Sequence, residues 1–173
     1  MDPVISGYLS TLELGEIQIY KNMAIIPLFS SDDGGPGYLP MKEALEKRLL
    51  VVTEVSQSGS VPELKVVNKG DIPVLLLDGE ELAGAKQNRV LNTTILVVED
   101  SETIIPVSCT EQGRWSYASA EFCESGNIMN RKVRARKVSS VKRSLEVSNC
   151  YLADQGAVWE GIEFCANLAG VHS

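Results

Sequence analysis

Five short apolar runs set the main constraint on this chain. Between residues 49 and 111 it reads "LLVVTEV", "ELKVV", "IPVLLLDG", "RVLNTTILVV" and "ETIIPVSCTE", punctuated by Gly, Asn, Asp and Ser. Runs of this length, rich in β-branched residues and bounded by turn formers, suit strands better than helices. The middle of the chain is therefore predicted to be predominantly β. Upstream, "EIQIYKNMAIIPLF" adds two strands around a turn near Lys21 and Asn22.

Helical spacing appears on either side of this block. After Pro40, "MKEALEKRLL" places Met41, Ala44, Leu45 and Leu49 on one face and pairs Glu43 with Lys47 four residues on. Toward the end, "KVSSVKRSLEV" carries Val138, Val141 and Leu145 at helical intervals. "DQGAVWEGIEFCANLAG" does the same with Val158, Ile162, Cys165 and Leu168 or Ala169, with Asp154 as cap and Gly170 as terminator. The expected fold is α+β: a β-rich sandwich or barrel-like core with a short N-terminal helix and C-terminal helices. With 173 residues, 44% of them hydrophobic and 23% charged, residues 1–173 are long enough for one domain with a real core.

Charge and rare residues narrow the function classes. A net charge of −7 argues against general nucleic-acid affinity, which needs a basic surface to neutralise phosphates. Seven of the sixteen Lys and Arg residues do fall in "RKVRARK", residues 131–137, and at Lys142 and Arg143. Without interleaved aromatics this segment reads first as a solvated face, and only second as a contact for an anion or nucleic acid. "MDPVISGYLS" has neither a basic start nor a continuous apolar run, and no later stretch is long enough to span a bilayer. A cytoplasmic setting without membrane contact is expected. Cys109, Cys123, Cys150 and Cys165 form no C-x-x-C pair and are expected to be free thiols. The only histidine is His172. Acid–base chemistry in the body of the domain would thus fall to carboxylates, lysines or tyrosines. Histidine-based zinc sites are excluded as well. The loop "SSDDGGPGYLP" lacks G-K-[ST], so its glycines are expected to serve turn geometry rather than a phosphate.

Two motifs carry the candidate site. "DGEELAGAKQNRVLN", residues 78–92, sets Glu80, Glu81, Lys86, Gln87, Asn88 and Arg89 among small residues directly after an apolar strand. "IPVSCTEQGRWSY", residues 105–117, would align Ile105, Val107, Cys109 and Glu111 on one strand face. Gly113 then allows a bend that brings Arg114 and Trp115 beside Glu111. A guanidinium and an aromatic plane could hold a planar ligand by stacking and its anionic part by a bidentate contact. The competing reading is a structural Glu111–Arg114 ion pair with Trp115 as packing. "CTEQGR" also resembles the Cys-to-Arg loop of cysteine phosphatases and rhodaneses. Here, however, four residues separate Cys109 from Arg114 where that loop has five, and no evident helix follows to activate the thiol. Cys109 reads as a small core thiol.

The combination "LLLDGEELAGAKQNRVLNTTILV", "IPVSCTEQGRW" and "DQGAVWEGI" resembles the ADP-ribosylglycohydrolase- and rhodanese-phosphatase-associated protein domain family, from about residue 10 onward. The resemblance implies that the chain is an N-terminal portion of a longer domain. It also implies an association with ADP-ribose and NAD metabolism, without an established reaction. The polar signature it marks comprises Glu80, Glu81, Lys86, Gln87, Asn88, Arg89, Cys109, Glu111, Arg114 and Trp115.

Two function classes follow. In one, the domain binds a nucleotide-derived small molecule or a partner protein and performs no chemistry. In the other, it is a carboxylate- or metal-dependent hydrolase of such a ligand, with Glu111 or Glu81 as base and Arg89 or Arg114 holding the anion. The missing histidine and metal triad favour the binding module. The sequence names neither metal nor cofactor, and it leaves the oligomeric state open, a homo-oligomer included.

Overall fold

A computed structural model describes residues 2–31 and 37–171, without the side chain of Val4. His172 and residues 32–36 of the glycine-rich loop lie outside the described residues. The chain separates into two compact units, Met1–Gly37 and Tyr38–Ser173.

The first unit opens with helix α1 (Pro3–Ser10), which the sequence reading did not anticipate. Proline at its first position is pre-set for helical φ and has no N–H to lose. Strand β1 (Glu13–Leu14) pairs with β4 (Leu28–Phe29), and β2 (Gln18–Tyr20) pairs with β3 (Met23–Ile25). The second pair is the expected hairpin, turning at Lys21 with φ +53°.

The second unit holds β5 (Leu39–Pro40), α2 (Met41–Glu46), β6 (Leu50–Glu54), β7 (Glu63–Asn68), β8 (Val74–Leu76), β9 (Glu80–Gly84), β10 (Arg89–Leu91), β11 (Ile95–Val97), β12 (Ser101–Cys109), β13 (Phe122–Ile128), α3 (Arg131–Ser148) and α4 (Gln155–Leu168). Six strands form one antiparallel sheet in the order β13-β9-β10-β12-β7-β6. Its two edge strands approach each other, so the sheet is curled, and α2 packs where they meet. The α+β fold with a barrel-like core is thus present.

Strand alternation fills the inside of the curl with Leu50, Val52, Leu64, Val66, Leu82, Leu91, Ile105, Val107 and Phe122. The three-stranded sheet β11-β8-β5 and α2 add Val74, Leu76, Val97, Met41 and Ala44 to the same core. As expected, Glu43 and Lys47 pair on the outer side of α2, at 2.6 Å.

Val90 and Ser108, on the opposite face of β10 and β12, are buried too. Helix α4 packs on β12 and α3 packs on α4, which buries Val133, Val141 and Val158. The helices meet closely at Gly161, where an added Cβ would stand 2.8 Å from Val133 Cγ1. Asp154 caps α4 by accepting from the Ala157 N–H at 3.1 Å, and Gly170 follows it with φ +68°. None of the described helices is long and apolar enough to cross a membrane.

The basic segment departs from expectation. Helix α3 starts at Arg131 rather than near 137, so "RKVRARK" forms its first two turns, with Asn130 accepting from the Lys132 N–H at 2.9 Å. Its buried stripe is Val133, Lys137 and Val141, while Val138 is exposed. Lys137, whose side chain is 0% exposed, donates to the Asp78 carboxylate and to the Leu91 carbonyl. Arg134 Nε donates to the other Asp78 oxygen at 2.7 Å. Burial lowers the Lys137 pKa, and Asp78 opposes that shift. Part of the expected solvated face is therefore an internal clamp between α3 and the start of the 78–92 hairpin.

Candidate functional site

The β9–β10 hairpin decides where each polar residue goes. Arg89 pairs with Leu82 and with Cys109, whereas Val90 pairs with Glu81 and with Ser108. Neighbours in sequence therefore face opposite sides of the sheet. The signature residues separate into an inner group at one end of the curl, a group at its rim, and an outer group under the helices.

In the inner group, Arg89 is 0% exposed. Its Nη1 donates to Gln87 Oε1 at 2.8 Å and to Cys109 Sγ at 3.0 Å. Glu54, from the end of β6, brings Oε1 to 3.8 Å from Arg89 Nη2. Trp115 lies over the guanidinium, its ring centre 5.6 Å from Arg89 Cζ. Lys86 Nζ is 5.5 Å from the same ring and donates to the Gln57 carbonyl at 2.6 Å. Burial pushes the Cys109 thiol pKa up, with the Arg89 charge opposing it and Glu54 reinforcing it. A raised thiol pKa fits a core residue and not a nucleophile.

At the rim, Glu111 Oε2 accepts from the Asn88 N–H at 2.9 Å and from Arg114 Nε at 2.6 Å. Arg114 Nη2 also donates to Asn88 Oδ1 at 3.0 Å. Burial opposes ionisation of Glu111, but the Arg114 and Asn88 hydrogen bonds and the charges of Arg114 and Arg89 outweigh it and hold its pKa below the usual value. Gln87 links inner group and rim, since its Nε2 donates to the Glu111 carbonyl while its Oε1 accepts from Arg89.

In the outer group, Glu81 Oε1 accepts from Thr110 Oγ1 at 2.6 Å. Its Oε2 accepts from Ser125 Oγ at 2.9 Å and Asn127 Nδ2 at 3.1 Å. Glu81, Thr110, Glu111, Asn127 and Asn130 line a cavity of about 380 Å³ whose apolar walls include Val90, Ile128, Met129, Val133 and Ile162. Glu80 stands apart. Its carboxylate closes a turn by accepting from the Leu77 N–H at 2.7 Å, and burial raises its pKa against that bond.

The model of the ARPP-1 domain, the ARG and Rhodanese-Phosphatase-superfamily-associated Protein domain, matches residues 11–173. The chain belongs to this family. No curated protein and no solved structure matches it. In this ARPP-1 domain the two sequence motifs meet, since Gln87 and Asn88 both bond Glu111. Their polar residues do not all converge on one pocket: Glu81, Thr110 and Glu111 line the outer cavity, whereas Arg89 lies across the sheet from Glu81.

Sequence reasoning missed several residues of these groups. Thr110 sits inside a quoted motif, but Ser125 and Asn127 come from β13, whose sequence "FCESGNI" has no apolar alternation to announce a strand. Glu54 closes an expected strand and was visible only as a strand end. Gln155 lies in "DQG" and holds the backbone of Cys109 through both ends of its side-chain amide. Among the described residues, no group of three His, Cys, Asp or Glu side chains is placed to hold a metal ion.

Proposed function

We propose that this ARPP-1 domain is a binding module for a nucleotide-derived small molecule, held in the cavity between β9, β10, α3 and α4. One observation carries the reading: Glu81 and Glu111, one from each motif, line the same concave site. A volume of about 380 Å³ falls within the usual range for small-molecule pockets. The apolar walls suit a flat base, and the Glu81 carboxylate suits ribose hydroxyls. The N-terminus of α3 adjoins the cavity at Asn130, and its first turn carries Arg131 and Lys132 and no acid. Cations at that end of a helix oppose its dipole, and a phosphate there would satisfy both.

The ARG in the family description, read as ADP-ribosylglycohydrolase, makes ADP-ribose the first ligand to test. All four cysteines are free, which suits the reducing cytoplasm. Hydrolysis of the same ligand is the second reading, favoured by the two carboxylates on one cavity. Glu111, held ionised by Arg114, would be its base.

Thermal-shift and calorimetric titration with ADP-ribose, AMP and ribose 5-phosphate test the proposal. Saturable binding is expected, and Ile128→Trp, a bulky change at an exposed wall residue, is expected to abolish it. Absence of binding by all three compounds, or binding untouched by Ile128→Trp, would remove this site. Release of AMP or free ribose during the titration would favour the hydrolytic reading instead.

A further inference from the structure

The inner group contains a chemical mismatch that the outer cavity does not explain. Five buried side-chain N or O atoms among the described residues lack a hydrogen-bond partner, and four of them are Arg89 Nε, Arg89 Nη2, Glu54 Oε1 and Glu54 Oε2. Buried polar groups are almost always paired, so two facing charged groups with free atoms require an account. Opposite charges in such a place ordinarily form a direct bidentate pair. Here the closest approach is 3.8 Å, beyond hydrogen-bond distance, with Arg89 0% and Glu54 11% exposed at their side chains.

The neighbours explain why Arg89 stays in place. Its Nη1 is committed to Gln87 and Cys109, and Gln87 is in turn fixed by the Glu111 carbonyl. The remaining edge, Nε with Nη2, is a fork of two donors. Glu54 sets two acceptors next to it. The pair therefore presents a donor surface and an acceptor surface side by side.

The cover over this pair is built from loops. Trp115 is 48% exposed and lies over Arg89 in the segment between β12 and β13. The β6–β7 loop reaches the same point at Gly59, whose φ is +79°. A Cβ there would stand 3.3 Å from Glu54 Oε2, from Lys86 Cδ and from Trp115 Cζ2 alike. The β9–β10 turn contributes Lys86. Three loops thus close one end of the curled sheet over a charged pair, the position at which β-barrels commonly hold ligands.

We propose that this end of the curled sheet, beneath Trp115, is a second ligand site, specific for a flat ring bearing an amide edge. The carbonyl of a carboxamide or lactam accepts from the free Arg89 edge. Its N–H donates to Glu54, and its ring stacks on Trp115. A carboxylate would satisfy Arg89 but repel Glu54. An amidine would satisfy Glu54 but repel Arg89. The site lies across the sheet from the outer cavity and does not depend on the function proposed for it.

Three nearly isosteric probes separate these chemistries: benzamide, benzoate and benzamidine. The protein has two tryptophans, so Trp159→Phe leaves Trp115 as the only indole reporter. Benzamide is expected to change Trp115 fluorescence saturably at millimolar concentration, and the two charged probes to bind roughly tenfold more weakly or worse. In Glu54→Gln, position 54 can donate, so the preference should move from benzamide toward benzoate. Trp115→Leu alters a half-exposed cover residue and should retain the fold while losing benzamide binding, read by ligand-observed NMR. Failure of all three probes in the folded wild-type protein overturns the proposal and leaves a structural ion pair. A wild-type preference for benzoate overturns it too, because Arg89 would then act as a plain anion site.

Discussion

Gln155 holds both backbone polar groups of Cys109. The Cys109 N–H donates to Gln155 Oε1 at 2.8 Å, and Gln155 Nε2 donates to the Cys109 carbonyl at 2.8 Å. Strand β7 pairs with β12 only as far as Pro106, so the β12 edge beyond that point is not covered by β7. The first residue of α4 supplies there, from one side chain, what another strand would supply from its backbone. The strand that positions Cys109 is thereby fixed to the helix that closes the outer cavity.

Gln155→Ala is expected to lower stability by about 1–3 kcal/mol, the cost of leaving buried backbone groups unpaired. Gln155→Glu should be no milder, because it replaces the donor facing the Cys109 carbonyl with an acceptor. Urea denaturation of both variants measures this. A loss well under 0.5 kcal/mol, about the scale of ordinary surface substitutions, would mean that water replaces the side chain.

The Asp78–Lys137 pair should behave as a buried ion pair. Lys137→Met leaves Asp78 facing Arg134 alone and is expected to cost about 3–5 kcal/mol. Asp78→Asn combined with Lys137→Met should cost much less than the sum of the single changes, since no uncompensated buried charge remains and the partly exposed Arg134 is left to solvent. A double-mutant cycle in chemical denaturation checks it, and strict additivity would contradict the clamp.

Glu111 should give the domain an acid-sensitive increment of stability. Its folded-state pKa lies below the usual value, so as the pH falls the unfolded chain takes up this proton first. The increment is present above about pH 4.3, the ordinary glutamate value, and is lost as the pH drops through the folded value. Its size should be under about 1 kcal/mol, because the Arg114–Glu111 pair is partly exposed and screened. The difference in melting temperature between wild type and Glu111→Gln should therefore be larger at pH 7 than at pH 3. A difference that grows on acidification would contradict this linkage.

Thiol reactivity should follow burial. Cys123 and Cys150 are exposed, Cys165 is intermediate and Cys109 is buried with a raised pKa. A disulfide reagent at pH 8 should label Cys123 and Cys150 quickly, Cys165 more slowly, and Cys109 only after denaturation. Rapid labelling of Cys109 in the folded protein, located by peptide mass, would restore the phosphatase-like reading of "CTEQGR".

Much of the architecture was legible because it is written in local alternation. Ile105, Val107 and Cys109 point inward as their spacing required, whereas Glu111, expected on the same face, lies at the rim because β12 ends at Cys109, and the 78–92 stretch forms two strands around a turn. Legibility ended where a residue's role depends on a distant partner. Lys137 looked like one cation in a solvated run, yet its counter-charge is Asp78, 59 residues away in sequence. The Glu81 surroundings were hidden for a related reason, since Ser125 and Asn127 reach it from an edge strand that carries polar residues along most of its length. Glu54 joins Arg89 only because β6 and β10 turn their ends toward the same side of the curl. Nothing within either strand records that meeting.

The alternation at Arg89 and Val90 has an evolutionary consequence. A slip of one residue in the hairpin would send a guanidinium under the helices and a valine among the charges, so pairing errors here are strongly penalised. With that register secured, substitutions on one side of β10 can reshape its surroundings with little effect on the other side. In diverging members of such a lineage, compensating changes should couple position 89 with 82 and 109, and position 90 with 81 and 108, more than they couple 89 with 90. One short strand thus carries two separately adjustable heritable traits.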